Sequence, residues 1–319
     1  PESLSVMEFR AAIDVAIVEK MLKQPLLGND LPGLWQIELC RELHMTDDSG
    51  LFKTTPAKGR LPLYEGKMIH QYDWHFGEPR YWVDDVEAQS ALRSARLRRA
   101  QQVARAHGVE IDEPMQLVLS LDKDAFRIAF REVARNTDER SMICAVLPPG
   151  VVAGHTLVLH RPFGDVVRGK RHEEVLNLSP QVLLYVVAVF NSFALDWLLR
   201  QRINAHVSMF YVYQLPMPRL TEGDPRLTPI ASRAAKLTCT SPEFDKLAKA
   251  VGLGSHKKGV TDPEARAQLR AEIDGLVAHL YGLTEEEFAH ILRSFPVVPE
   301  PVREAARNAF RAVARGDVT

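Results

Sequence analysis

Residues 182–199, VLLYVVAVFNSFALDWLL, constrain this chain more than any other segment. Eighteen almost uninterrupted apolar residues approach the shortest helix that crosses a bilayer. The alternative is a helix buried on every side, which demands a large protein around it. Asn191, Ser192 and Asp196 break the apolar run, and Arg200 and Arg202 close it, so burial in protein is expected and a membrane span is not. Ser179-Pro180 pairs an N-cap with a proline at the first helical position, predicting one helix from there to about Ile203. The 319 residues are enough to enclose it, because a chain of this length buries ~75% of its unfolded surface.

Around that helix the chain reads as α+β. Residues 4–23 have helical apolar spacing at Val6, Phe9, Ile13, Ile17 and Met21. Prolines and glycines then cut 25–83 into short pieces, with strands predicted at 35–39 and 63–72. A polar helix is expected over 85–107. A strand meander follows at 115–121, 126–133, 141–147 and 155–160. Val207, Met209, Tyr211, Tyr213 and Leu215 alternate as in a strand that stops at LPMP, 215–218. Beyond 224 the pattern is helical, with N-cap pairs at Ser241-Pro242 and Asp262-Pro263, a capping box at Thr284 and Glu287, and C-terminal glycines at Gly252 and Gly282. The expected division is an N-terminal helix over 1–24, an α+β part over 25–220 and a helical region over 221–319.

Familiar catalytic motifs are missing. There is no P-loop, no GxGxxG after a strand, no GxSxG and no HExxH. Pro148-Pro149 lacks the Asn or Asp and the aromatic that clamp a flipped base in amino-methyltransferases. Cys40, Cys144 and Cys239 lie far apart, which fits a reducing, cytoplasmic setting better than a disulfide framework. Glu65-Gly66-Lys67 has the E-x-K form of metal-dependent nucleases, with Asp47 and Asp48 upstream, so a Mg²⁺ nuclease stays open as a minor reading.

Net charge is -1, from 40 Lys+Arg against 41 Asp+Glu, which excludes a protein that coats nucleic acid by bulk charge. Yet the charge is unevenly placed. Residues 88–109 hold no acid and five arginines, at 93, 96, 98, 99 and 105, whereas Asp262, Glu264, Glu272, Asp274 and 285–287 put acids in the tail. The first basic cluster, represented by Arg93, Arg96 and Arg99, is either a solvated helix face or a phosphate clamp, a task that suits the guanidinium fork. The second is Arg131 with Arg135, Asn136, Thr137, Asp138 and Arg140. These are side chains that pair with base edges, on what is otherwise an ordinary hairpin turn. The third is Arg168, Lys170 and Arg171, a basic loop around Gly169 that suits a phosphate backbone or plain solvent.

Several segments in order resemble a known family: ELHMTDDSGLF (42–52), LPLYEGKMIHQYDWHF (61–76), FRIAFREVARNTDERSMICAVLPPGV (126–151), the run 183–218 ending in LPMP, and LRAEIDGLVAHLYGLTEEEFAHILRSFP (269–296). Together they are similar to the C-terminal part of large adenine-N6 DNA methyltransferases of type IIG restriction–modification enzymes and of DISARM-like bacterial phage-defence systems. The resemblance implies a target recognition domain without its catalytic half. It further implies that S-adenosylmethionine belongs to a methyltransferase domain upstream in the same polypeptide, that this chain holds no cofactor, and that its partners are duplex DNA and that domain. On this reading the chain, which starts at Pro1, is a piece of a longer enzyme. Candidate base readers are Arg135, Asn136, Asp138 and Arg140. Lys67, Arg168, Lys170 and Arg171 are candidate phosphate contacts, with Gln71, Arg131 and Thr137 beside them. The competing class is a protein-interaction module that docks through the apolar 182–199 helix and the helical tail.

Overall fold

The computed structural model describes residue 9 and residues 11–109, 119–169 and 171–319. The architecture is α+β, as the alternation of patterns predicts. One four-stranded antiparallel sheet has the spatial order Leu39–Cys40, Leu157–His160, Arg127–Arg131, Cys144–Leu147. A second has the order Phe52–Lys53, Tyr81–Asp84, Arg60–Tyr64, Val152–Ala153, its last pair parallel. Phe163–Arg168 and Arg171–Leu176 form a separate hairpin. The first sheet's central strands are buried on both faces and rich in Ile, Val, Leu and Phe, the composition such a position requires.

The apolar segment is buried along its whole length, but it is two helices, Pro180–Phe190 and Phe193–Arg200, bent by 57°. Ser192 causes the break: its hydroxyl accepts the Leu195 N–H as an N-cap and donates to the Val189 carbonyl. Asn191 turns inward and exchanges two hydrogen bonds with the Cys144 backbone, tying the bend to the sheet. Pro180–Phe190 packs between that sheet, where Phe130 meets Phe190 edge-on, and the tail helix Leu227–Thr238. Contact on both sides explains why it is apolar all round. No single helix among the described residues is long and apolar enough to cross a membrane.

Residues 207–215 correct the sequence reading: Met209–Tyr213 is a short helix, not a strand. All five residues are apolar or aromatic, so an alternation counted there carries no period. The strand expected at 63–72 ends at Tyr64, and Gly66–Met68 turns as a 3₁₀ helix. The strand expected at 35–39 shrinks to Leu39–Cys40, and most of the one expected at 115–121 lies outside the described residues. Tyr72 holds a left-handed backbone, φ 61°, which costs a side-chain-bearing residue on the order of 1–3 kcal/mol. Its N–H bond to the Cys144 carbonyl and its buried ring keep it there.

The tail continues through Asp245–Ala250, Pro263–Leu280, Glu285–Arg293 and Glu300–Arg315. Asp262 caps the second of these and Thr284 the third, where Glu287 completes the capping box. Its core is continuous with the sheet's: Ile17, Phe130, Trp197, Phe288 and Phe310 belong to one buried cluster.

Candidate nucleic-acid interface

The chain leaves the first sheet at Arg131, bridges His206 through Val133, and turns at 135–139. Local chemistry closes the turn. The Asp138 carboxylate accepts the Arg135 N–H at 2.8 Å, and the Asp138 N–H returns to the Arg135 carbonyl at 3.2 Å. Tertiary bonds hold it down. Arg200 donates to the Asp138 and Glu139 carbonyls, and the Ser141 hydroxyl donates to the Arg135 carbonyl. Beneath lies a fully buried carboxylate, Asp196, which meets the Arg140 guanidinium at 2.8 Å and accepts the Ser141 and Met142 N–H groups. Arg140 also stacks on Phe193, 4.2 Å from the ring centre, and on Phe295. The product is an exposed turn on a buried, hydrogen-bonded base.

Concavities flank the turn. Asn136 opens onto a cleft of about 500 Å³ that Gln201, Arg202, Asn204 and the His290–Asp14 pair also line. Asp138 and Glu139 edge a smaller pocket of about 210 Å³ with His70 and Arg131. Burial pushes the His70 imidazole down to about 4, with Arg131 acting in the same direction, so at neutral pH its ring is uncharged. Burial likewise lowers the pKa of Arg131, Arg200 and Arg202 from the ordinary guanidinium value.

The predicted site residues divide sharply. Arg135, Asn136 and Thr137 are exposed, as is Asp138, whose carboxylate also closes the turn. Arg140, expected to read bases, is buried and bound to Asp196 and the Asn191 carbonyl. Gln71 is also buried, its amide bridging the Met142 and Asn191 carbonyls. Arg131 is half-buried and grips the Ile69 carbonyl. Lys67 is exposed.

The arginine-rich helix, Asp85–Ala106, splits by face. Arg93, Arg98 and Arg105 are exposed. Arg96 is buried and reaches Asp165 at 2.6 Å and Glu174 at 2.9 Å, and Arg99 lies 3.6 Å from Asp122 and Asp165. These two arginines fasten the hairpin 163–176 to the helix and do not face solvent. At the hairpin's tip Arg168 and Arg171 are exposed, Arg168 paired with Glu173 at 3.0 Å; Lys170 lies outside the described residues.

The nuclease reading loses its geometry. Both Glu65 oxygens bind Arg80, the triplet sits on a turn, and among the described residues no three His, Cys, Asp or Glu are arranged to hold a metal. The interaction-module reading loses the apolar helix, which is buried. Sequence reasoning missed Arg202 and Asn204 in the cleft. Arg202 was visible only as the end of an apolar run.

No family model matches the chain, and no curated protein matches it. The solved structure of the Type IIL restriction-modification enzyme MmeI in complex with DNA is similar at a TM-score of 0.42 and 10% identity, over 83% of this chain and 37% of that one. The chain therefore spans well under half the length of that protein.

Proposed function

We propose that this chain recognises a short duplex DNA sequence as the specificity part of an adenine-N6 methyltransferase of the restriction–modification type. The observation that carries the reading is the turn 135–139: guanidinium, amide and hydroxyl side chains stand in solvent on a base pinned by Asp196, Arg140 and Arg200. Arg135 would pair with guanine and Asn136 with adenine, the bidentate matches that major-groove edges offer. Rigidity matters because a reader that must first be ordered loses part of its binding energy to that ordering. The exposed cations Lys67, Arg93, Arg98, Arg105, Arg168 and Arg171 supply phosphate contacts that set register without choosing sequence. Lys170 joins them as a proposed contact. Arg96, Arg99, Arg131, Arg140 and Gln71 are assigned to support, not readout. Methyl transfer itself, with S-adenosylmethionine, is assigned to a domain outside this chain.

The test is duplex binding followed by fluorescence anisotropy as salt is raised. About six phosphate contacts predict a loss on the order of a thousandfold in affinity between about 50 and 200 mM salt. A salt-independent affinity, or none at low salt, would sink the reading.

A further inference from the structure

Three backbone pairings converge beside the end of the strand Arg127–Arg131. The Leu43 N–H donates to the Ala153 carbonyl at 3.1 Å, and Leu43 bridges Gly154. The Glu132 N–H donates to the Thr156 carbonyl at 3.0 Å. The Val207 N–H donates to the Glu132 carbonyl at 2.7 Å, beside the bridge between Val133 and His206. Each pairing delivers a histidine: His44, His155 and His206, from three separate segments, surround a pocket of about 170 Å³ with Arg41 and Thr156.

The His44 and His155 rings stack, centroids 5.2 Å apart and planes 27° apart. The Nδ1 atom of His155 is buried and has no hydrogen-bond partner. The Nδ1 atom of His44 faces the N–H groups of Thr46 and Asp47 at 3.4 Å, which leaves its Nε2 edge to donate outward. Two of the three acids nearby are already engaged, and the third, Asp47, is largely exposed. Glu132 is bound to Arg41, Asp48 accepts the His44 N–H, and Asp47 lies 3.5 Å from His44 Nδ1. Stacked rings set their nitrogens side by side and do not aim them at one point. That geometry disfavours a metal ion and suits an anion with several oxygens. The Glu132–Val133 edge of the pocket runs directly into the turn 135–139.

We infer that this pocket seats a phosphate group of the DNA backbone, with His44, His155 and His206 as its donors. The inference rests on the duplex-reading role proposed above and adds a contact that fixes the backbone next to the reading turn. A bound phosphate favours protonated imidazole, so affinity rises as pH falls, by up to about tenfold per pH unit for each proton taken up. Arg41, Glu132, Asp47 and Asp48 are the fixed charges beside the rings.

The experiment records the histidine ring NMR signals of the whole chain between about pH 5.5 and 8, the range in which imidazoles titrate, at constant ionic strength. One arm adds inorganic phosphate and the other a short duplex. The ring signals of all three histidines should move with either ligand. His206→Gln, an exposed position that leaves the ring stack intact, should weaken duplex binding and flatten its pH dependence. A phosphate response without duplex binding keeps the seat as an anion site and sinks the DNA reading. Duplex binding with unmoved histidines keeps the DNA reading and overturns the seat. Silence in both arms also overturns the seat.

Discussion

Replacing Asp196 with alanine isolates the device that holds the reading turn. The carboxylate is fully buried, bound to Arg140 at 2.8 Å and to the N–H groups of Ser141 and Met142 at 3.1–3.2 Å. Its removal leaves a buried guanidinium without its counter-ion, a change that costs about 3–5 kcal/mol. Two orphaned N–H donors add to that, at about 1–3 kcal/mol each where water cannot reach them. Arg140 keeps the Asn191 carbonyl and its two aromatic faces, which offsets part of the loss. The expected cost is therefore at the low end of that sum, about 5 kcal/mol, and at about 2 °C per kcal/mol for a large domain the thermal midpoint falls by roughly 10 °C. Circular dichroism in a thermal or urea series measures it. The paired replacement Asp196→Leu with Arg140→Met should cost less than Asp196→Ala alone, because the Arg140 charge leaves with its partner and only Arg200, 3.4 Å from Asp196, loses a carboxylate. A loss under about 1 kcal/mol for Asp196→Ala, or simple additivity in the pair, would show that the turn does not rest on a buried ion pair.

Three further perturbations follow from the packing. Burial lifts the Asp274 carboxyl from 3.8 to about 6, against Arg140 and the Phe193 N–H, which favour its charged form. Folding is then favoured with Asp274 protonated; that contribution is full below pH 3.8 and fades as pH rises through about 6, a change of roughly 3 kcal/mol. Asp274→Asn should remove this part of the pH–stability curve, and superimposable curves would refute it. Arg96→Ala removes the nearest guanidinium from Asp165 and Glu174, leaving Asp165 to His172 at 2.7 Å and Arg99 at 3.6 Å, so it should cost about 1.5–3 kcal/mol and raise amide exchange across 163–176; unchanged exchange there would mean that the hairpin is held by something else. Gly275→Ala drives a methyl to 2.8 Å from the Ala309–Phe310 backbone, so the helices Pro263–Leu280 and Glu300–Arg315 must separate at a cost of about 1–3 kcal/mol in chemical denaturation.

Local chemistry explains what could be foreseen. Asp262 and Thr284 cap their helices because those signals lie within three residues of the groups they satisfy. The apolar run at 182–199 had to be buried, and it is. Its bend was also present in the letters, since Asn191-Ser192 places a capping hydroxyl inside the run, but an uninterrupted apolar pattern outweighed it. Arginine roles were the hardest to foresee. Arg96 and Arg98 look alike in sequence, yet one meets Asp165 across 69 residues and the other faces solvent. Arg140 and Arg135 differ in the same way: the partner that buries Arg140, Asp196, lies 56 residues on, within the apolar run. The turn itself was legible because Asp138 closes it from three residues away. The histidine pocket was not, because three long-range pairings build it.

The central claim is that the turn 135–139 reads bases, and selection from a randomised duplex pool tests it most directly. The unaltered chain should enrich one short sequence. Arg135→Ala and Asn136→Ala should each relax choice at one position while other positions stay fixed, with about 1–3 kcal/mol of discrimination lost there. No enrichment by the unaltered chain, or the same sequence recovered with both variants, would contradict the account.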